Sequence, residues 1–165
     1  MELDHIFVFV SDGAAAERAA VAAGLVPTHR RRHRGQGAEN VCFRFGDIFV
    51  ELLWACDQDE LVSAAVAPTG LLERSRWRAG GVCPFGVCVR TSQRQPPFET
   101  WPYSVPFPAG MSVAMASTSR RATEPLVFAV VALDAPEPHL ELVFKAVGAP
   151  ETIEVPEGLL TIRGV

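Results

Sequence analysis

From Leu3 to Val10 the stretch "LDHIFVFV" is almost unbroken in apolar positions and rich in β-branched and aromatic side chains, which predicts a strand. Ser11 and Asp12 follow as cap residues. "GAAAERAAVAAG" then predicts a helix, because Ala has the highest helix propensity. Gly24 suits the left-handed residue that closes such a helix, and Pro27 prevents its continuation. Three further strands are expected in "VPTHRRRH", "ENVCFRF" and "IFVELLW", the last two joined by a turn at Gly46-Asp47. The first half therefore reads β-α-β-β-β.

"DQDELVSAAVAPTGLLERSRWRAGG" reads as a connector with a short helix near Glu60–Val66. A second group of strands is expected in "PFGVCVR", "SVAMASTS", "PLVFAVVAL" and "HLELVFK". Between the first two lies "QPPFETWPYSVPFPAG", whose prolines cannot occupy a helix interior. The second half thus looks like the first with its helix shortened or lost. "IFVELLW" and "HLELVFK" each place Glu directly before Leu in an apolar strand, a sign of internal duplication. The expected organisation is a single α+β domain: one module over 1–56, a connector over 57–81, a second module over 82–147 and an extension over 148–165 that could add a hairpin.

Side chains alternate faces along a strand. His5, Phe7 and Phe9 then share one face, as do Phe49, Glu51 and Leu53, and His139, Glu141 and Val143. Ile6, Val8 and Val10, with Ile48, Val50, Leu52 and Trp54, make the opposite face, which can pack under the helix. A lone carboxylate in apolar surroundings costs several kcal/mol. His5, Glu51 and Glu141 either answer one another, or a metal, in one cavity, or face solvent on a half-exposed sheet.

Composition narrows the classes. The 165 residues are 48 % apolar and 21 % charged, which is globular, and the net charge of −4 gives no reason to expect nucleic acid. No apolar run approaches the ~20 residues that span a bilayer, and the N-terminal residues do not read as a secretion leader, so a cytoplasmic protein without membrane association is expected. The four cysteines contain no C-x-x-C pair and read as buried reduced thiols.

The paired layout, with "LDHIFVFV", the "HRGQG" turn with Asn40, and "VELLW", resembles the vicinal oxygen chelate superfamily, the fold of glyoxalases, bleomycin-resistance proteins and extradiol dioxygenases. "HRGQGAENVCFRFGDIFVELLW" is similar above all to its glyoxalase-like members. The resemblance implies that the two modules form a curled mixed sheet around an open cavity, its concave face holding a divalent metal with ligands from the first and fourth strands of each module. Carried over, it makes His5, Glu51 and Glu141 metal ligands, with Glu51 and Glu141 also able to move a proton. The fourth ligand would fall at Pro84 or Phe85, and neither side chain can coordinate a metal. Three such ligands suit Fe, Mn, Ni or Zn, and His139 offers a substitute for the fourth. The loss equally fits a relative that binds its ligand without metal.

Two other groups carry candidate chemistry. The basic run His29–Arg34 either guards an edge strand against aggregation or, with the amides of Gly35–Gly37, captures an anion. His33, Gln36, Asn40 and Arg44 become candidate substrate contacts, Arg44 being equally suited to an ion pair. Trp101, with Tyr103 and Phe107, either lines an apolar substrate pocket or packs in the core. The expected function is a metal-dependent lyase, epimerase or dioxygenase acting on a small oxygen-bearing substrate; the alternative is a metal-free small-molecule binder. Members of the resembled superfamily often pair, which implies a homodimer.

Overall fold

The structure is a computed structural model and describes residues 1–45, 48–93 and 95–131, together with the strand segments 142–144, 152–154 and 161–164. The first module contains β1 (Glu2–Phe9), α1 (Gly13–Ala22), β2 (Pro27–His33), β3 (Ala38–Phe45) and β4 (Ile48–Ala55). The connector holds two short helices, α2 (Gln58–Leu61) and α3 (Leu71–Ser75). The second module contributes β5 (Phe85–Thr91), β6 (Thr100–Ser104), β7 (Ser112–Ala116) and β8 (Leu126–Val131). These eight strands form one open mixed sheet in the order β2-β3-β4-β1-β5-β8-β7-β6. The two halves repeat one plan. β1 pairs parallel with β4 and β5 pairs parallel with β8, while β1 and β5 meet antiparallel at the centre.

The second module differs from the sequence reading by one strand. The strand after β5 lies inside the proline-rich loop, at Thr100–Ser104, and includes Pro102. Proline is tolerated there because β6 is an edge strand, paired among the described residues only to β7, so a missing N–H breaks no ladder on its open side. The fourth strand of the second module is consequently β8. The "LVF" of "HLELVFK" forms β9 (Leu142–Phe144), which belongs to a separate small sheet with β10 (Thr152–Glu154) and β11 (Thr161–Gly164). The Gly46-Asp47 turn lies outside the described residues.

α1 starts where the sequence places it. The Asp12 carboxylate accepts from the Ala15 amide at 2.9 Å, and Gly24 follows the helix at φ +90°. The helix rests on β3 and β4, and its first residue lies against Trp54 so closely that a Cβ on Gly13 would fall 2.3 Å from the indole. Ile6 is buried elsewhere than expected: it packs with Phe85, Val87 and Val127 on the outer face of β1, β5 and β8 rather than under α1. The inner face carries Phe7, Phe9, Leu53, Tyr103, Met115 and Leu126, closed by Leu61, Val66 and Leu71 of the connector.

One charged side chain ties the connector down. Arg74 is fully buried and its guanidinium donates to five carbonyl oxygens, those of Cys83, Ser119, Arg121, Ala122 and Glu124. Carbonyl dipoles thus replace the water that a buried cation gives up. Burial lowers the Arg74 pKa, yet guanidinium stays charged at any ordinary pH. Among the described residues no helix is long and apolar enough to cross a membrane.

Candidate functional site

The curl of the sheet brings its two outer hairpins together. Arg34, in the β2–β3 turn, stacks over Phe107 at 5.7 Å, and Gly35 lies against Pro106 of the β6–β7 loop. Inside is a cavity of about 250 Å³, lined by apolar side chains including Phe7, Phe49, Leu53, Met115, Leu126 and Phe128. Its polar lining is short: His5, Arg31, His33, Gln36, Glu51, Thr69 and Tyr103.

Strand register places each of these. One lateral row crosses the sheet as Arg44, Phe49, His5, Cys88, Phe128, Met115 and Trp101. The adjacent row runs Cys42, Glu51, Phe7, Gly86 and Leu126. Paired residues share a face, so His5 and Glu51 stand diagonally on neighbouring strands and face inward. His5 Nε2 lies 3.9 Å from Glu51 Oε1. The imidazole is stacked on Phe49 with ring centres 4.6 Å apart and meets the edge of Phe128 at 5.7 Å.

The other imidazole nitrogen is held. Nδ1 bonds Asp4 Oδ1 at 2.6 Å, and Arg90 grips the second Asp4 oxygen through Nε at 2.8 Å and through its terminal nitrogen. Burial pushes the Asp4 carboxyl up, but hydrogen bonds from His5 and Arg90 outweigh it and hold its pKa below the usual value. An ionised Asp4 accepts a hydrogen bond from Nδ1–H, and Nε2 is the nitrogen turned toward Glu51 and the cavity. Asp4 reaches this position through an irregularity in the β1–β5 register between Leu3 and His5. Simple alternation would have put it on the outer face, which is why sequence reasoning passed over it.

The remaining expected residues divide. His33 and Gln36 line the cavity with Arg31. Burial, with Arg31, His5 and His29 adding to it and Glu51 opposing, lowers the His33 pKa, so its ring is neutral near pH 7. Asn40 is buried in β3 with its Oδ1 unpartnered, yet it does not line the cavity. Arg44 is exposed at the end of β3, beyond the lining. Trp101 stands behind Tyr103 under the guanidinium of Arg120, also outside the lining. The Gly35 to Gly37 turn supplies positive φ, and the Gly37 amide is occupied by Glu60 Oε2 at 2.8 Å. Glu141 and His139 lie outside the described residues.

The second module's inward positions are now legible. Phe85 belongs to the outer cluster, so the inward residues of β5 are Gly86 and Cys88. On β8 they are Leu126, Phe128 and Val130. Burial raises the Cys88 pKa well above its ordinary value, and burial plus the Glu51 carboxylate pushes that of Cys42 up to about 12. Both thiols stay protonated, and Cys42 Sγ lies 3.9 Å from Glu51 Oε1. Asp4, His5 and Cys88 also have potential ligand atoms within 4.8 Å of one another.

The donor set can be tested against a divalent ion. Two donors each ~2.1 Å from one ion lie about 3.0 Å apart at right angles and about 4.2 Å apart when opposed. The 3.9 Å between His5 Nε2 and Glu51 Oε1 falls inside that range. A carboxylate behind the distal nitrogen is also the usual support for a metal-binding histidine.

No curated protein matches this sequence. Among solved structures, a hypothetical protein from Bacillus halodurans C-125 aligns with a TM-score of 0.53 at 15 % identity, over 83 % of this chain and 98 % of that one. A single-substitution variant of Streptomyces coelicolor methylmalonyl-CoA epimerase, in complex with 2-nitronate-propionyl-CoA, aligns with a TM-score of 0.52 at 16 % identity, over 84 % and 99 %. A methylmalonyl-CoA epimerase in complex with methylmalonyl-CoA and NH4+ gives 0.51 at 15 %, over 83 % and 98 %. At these identities the likeness is one of fold. The glyoxalase-like domain family matches residues 3–158, nearly the whole chain. The chain therefore belongs to the glyoxalase-like domain family, within the vicinal oxygen chelate superfamily.

Proposed function

We propose that the cavity is the active site of a divalent-metal-assisted enzyme acting on a small oxygen-bearing substrate. The observation that carries this reading is the aim of His5: Asp4 holds Nδ1, and Nε2 stands 3.9 Å from Glu51 in a mostly apolar cavity. His5 Nε2 and Glu51 would hold the ion; the sequence offers Glu141 as a third ligand, although the second module's fourth strand, where the resemblance puts that ligand, is β8. A bound ion contributes Lewis-acid polarisation of a substrate oxygen. Glu51 is the group that takes or returns a proton at the carbon beside that oxygen, because it is the one carboxylate lining the cavity among the described residues. The apolar wall keeps water away from that carbon. The epimerase neighbours act in the same fold, which makes proton transfer of the epimerase or lyase type the first chemistry to assay. Metal analysis of protein purified without a histidine tag tests the reading. It predicts close to one equivalent of a transition metal in the wild type and loss of most of it in Glu51→Gln. Less than about a tenth of an equivalent, with no uptake on adding Fe, Mn, Ni or Zn, would refute it.

The alternative, a metal-free binder, has its own support. Among the described residues, β5 and β8 put Gly86, Leu126, Phe128 and Val130 on the inward face, with no metal-binding side chain apart from the protonated Cys88 thiol. That reading predicts ligand binding indifferent to chelator and to His5→Ala combined with Glu51→Ala.

A further inference from the structure

Alternation along β2 sorts its basic residues. Arg30 and Arg32 point away from the cavity, and each meets acids: Arg30 bonds Glu17, and Arg32 lies 3.0 Å from Asp57 and 3.5 Å from Glu60. Arg31 points the other way and lines the cavity, and no carboxylate among the described residues lies within ion-pair distance of it. Among the described residues it is the cavity's one permanently charged cation, as Glu51 is its one carboxylate. Apart from Glu51, the polar residues of the lining carry no opposing charge. His33 is on the same strand with its Nε2 unpartnered, and the buried Tyr103 hydroxyl, a neutral donor, has no partner either. Arg31 is solvent-exposed where it lines the cavity, and an unpaired guanidinium there, between acid-neutralised arginines, is available to an anionic oxygen group.

We propose that Arg31 anchors the anionic group of the substrate, a carboxylate or a phosphate, while its apolar body fills the cavity toward Phe49, Leu126 and Phe128 and its reacting end meets His5 and Glu51. This rests on the cavity being the substrate site, as proposed above, and adds the substrate's class: a small anion with a short apolar body. The two charges assign its orientation, since an anionic end is attracted by Arg31 and repelled by Glu51.

The test is binding of short probes in solution, followed by ligand-observed NMR titration: pentanoate, butyl phosphate, and pentanamide as the neutral counterpart of pentanoate. The proposal predicts that at least one anion binds more tightly than the amide, that its affinity falls with rising salt, and that Arg31→Gln weakens it about tenfold, the size of a charge-assisted hydrogen bond. Arg30→Gln, on the outward face, leaves it unchanged. Which anion wins separates carboxylate from phosphate recognition. Failure of both anions to bind, binding no better than the amide, or equal loss in Arg31→Gln and Arg30→Gln overturns the proposal. Glu51→Gln separates it from the metal reading: that variant retains or gains anion affinity while losing metal. Should anion binding fail while metal still depends on Glu51, the substrate class falls and the metal reading stands.

Discussion

The behaviour of His5 depends on its neighbour in sequence. Asp4 fixes which nitrogen of His5 faces the cavity, and Arg90 fixes Asp4. Asp4→Asn leaves a weaker acceptor at Nδ1, and loss of such a supporting carboxylate typically costs ~10–100-fold in metal affinity. A metal titration of Asp4→Asn is therefore expected to show weaker binding by that order, with the fold intact by circular dichroism; unchanged affinity would mean that Asp4 does not orient the ring. The same residues set an acid limb of stability. The pKa values of Asp4 and His33 are both lowered by folding, so the unfolded chain binds more protons, and stability rises with pH through each window. For His33 the contribution is full above the unfolded value near 6.5 and is lost as pH falls through its lower folded value. For Asp4 it is full above about 4 and is lost at still lower pH. Denaturation midpoints should thus fall in two stages on acidification, and His33→Gln should flatten the upper one. At this scale alternation put His5 and Glu51 on one face, and the basic run with its glycine turn offered His33 and Gln36; all four line the cavity. The sequence hid Asp4, because a register irregularity breaks that alternation; it left Arg44 open to an ion pair and Trp101 to core packing, and gave no sign that Asn40 sits outside the lining.

Elements are held by contacts that local patterns do not announce. Arg74 sits in a stretch that reads as irregular chain, yet its guanidinium joins the connector to the segment between β7 and β8. Arg74→Met strips five carbonyls of their donor and is expected to lower stability by about 3 kcal/mol or more, measured by urea unfolding. Arg74→Lys should recover little, because one ammonium cannot span the same acceptors. Gly86 is a second such point. A Cβ there would fall 2.0 Å from the Phe7 ring, so Gly86→Ala forces the ring aside and should cost about 1–3 kcal/mol. Pairing it with Phe7→Leu should return part of the loss; no return would mean that the ring is not what the methyl meets. Most elements were legible in the sequence, since apolar runs, Ala-rich helix and turn residues agree with one another. β6 was not, since Thr100–Ser104 carries a proline that only an edge position permits, and edge status is a property of the assembled sheet.

The molecule is a duplicated scaffold used unequally. Both modules follow the same strand plan, yet among the described residues His5 and Glu51 of the first line the cavity while the second module offers Gly86, Cys88, Leu126 and Phe128 at its inward positions. The sequence-level layout found the duplication, but not through the match of "IFVELLW" to "HLELVFK": the counterpart of β4 is β8, and counting strands one short obscured where the second set of positions falls. Anomalous diffraction from crystals soaked with Mn²⁺ or Zn²⁺ tests the central claim most directly. The account predicts one strong peak between β1 and β4, within about 2.0–2.3 Å of both His5 Nε2 and a Glu51 oxygen, absent from Glu51→Gln crystals. A cavity without a peak for either metal, or a peak that persists unchanged in Glu51→Gln, would contradict it.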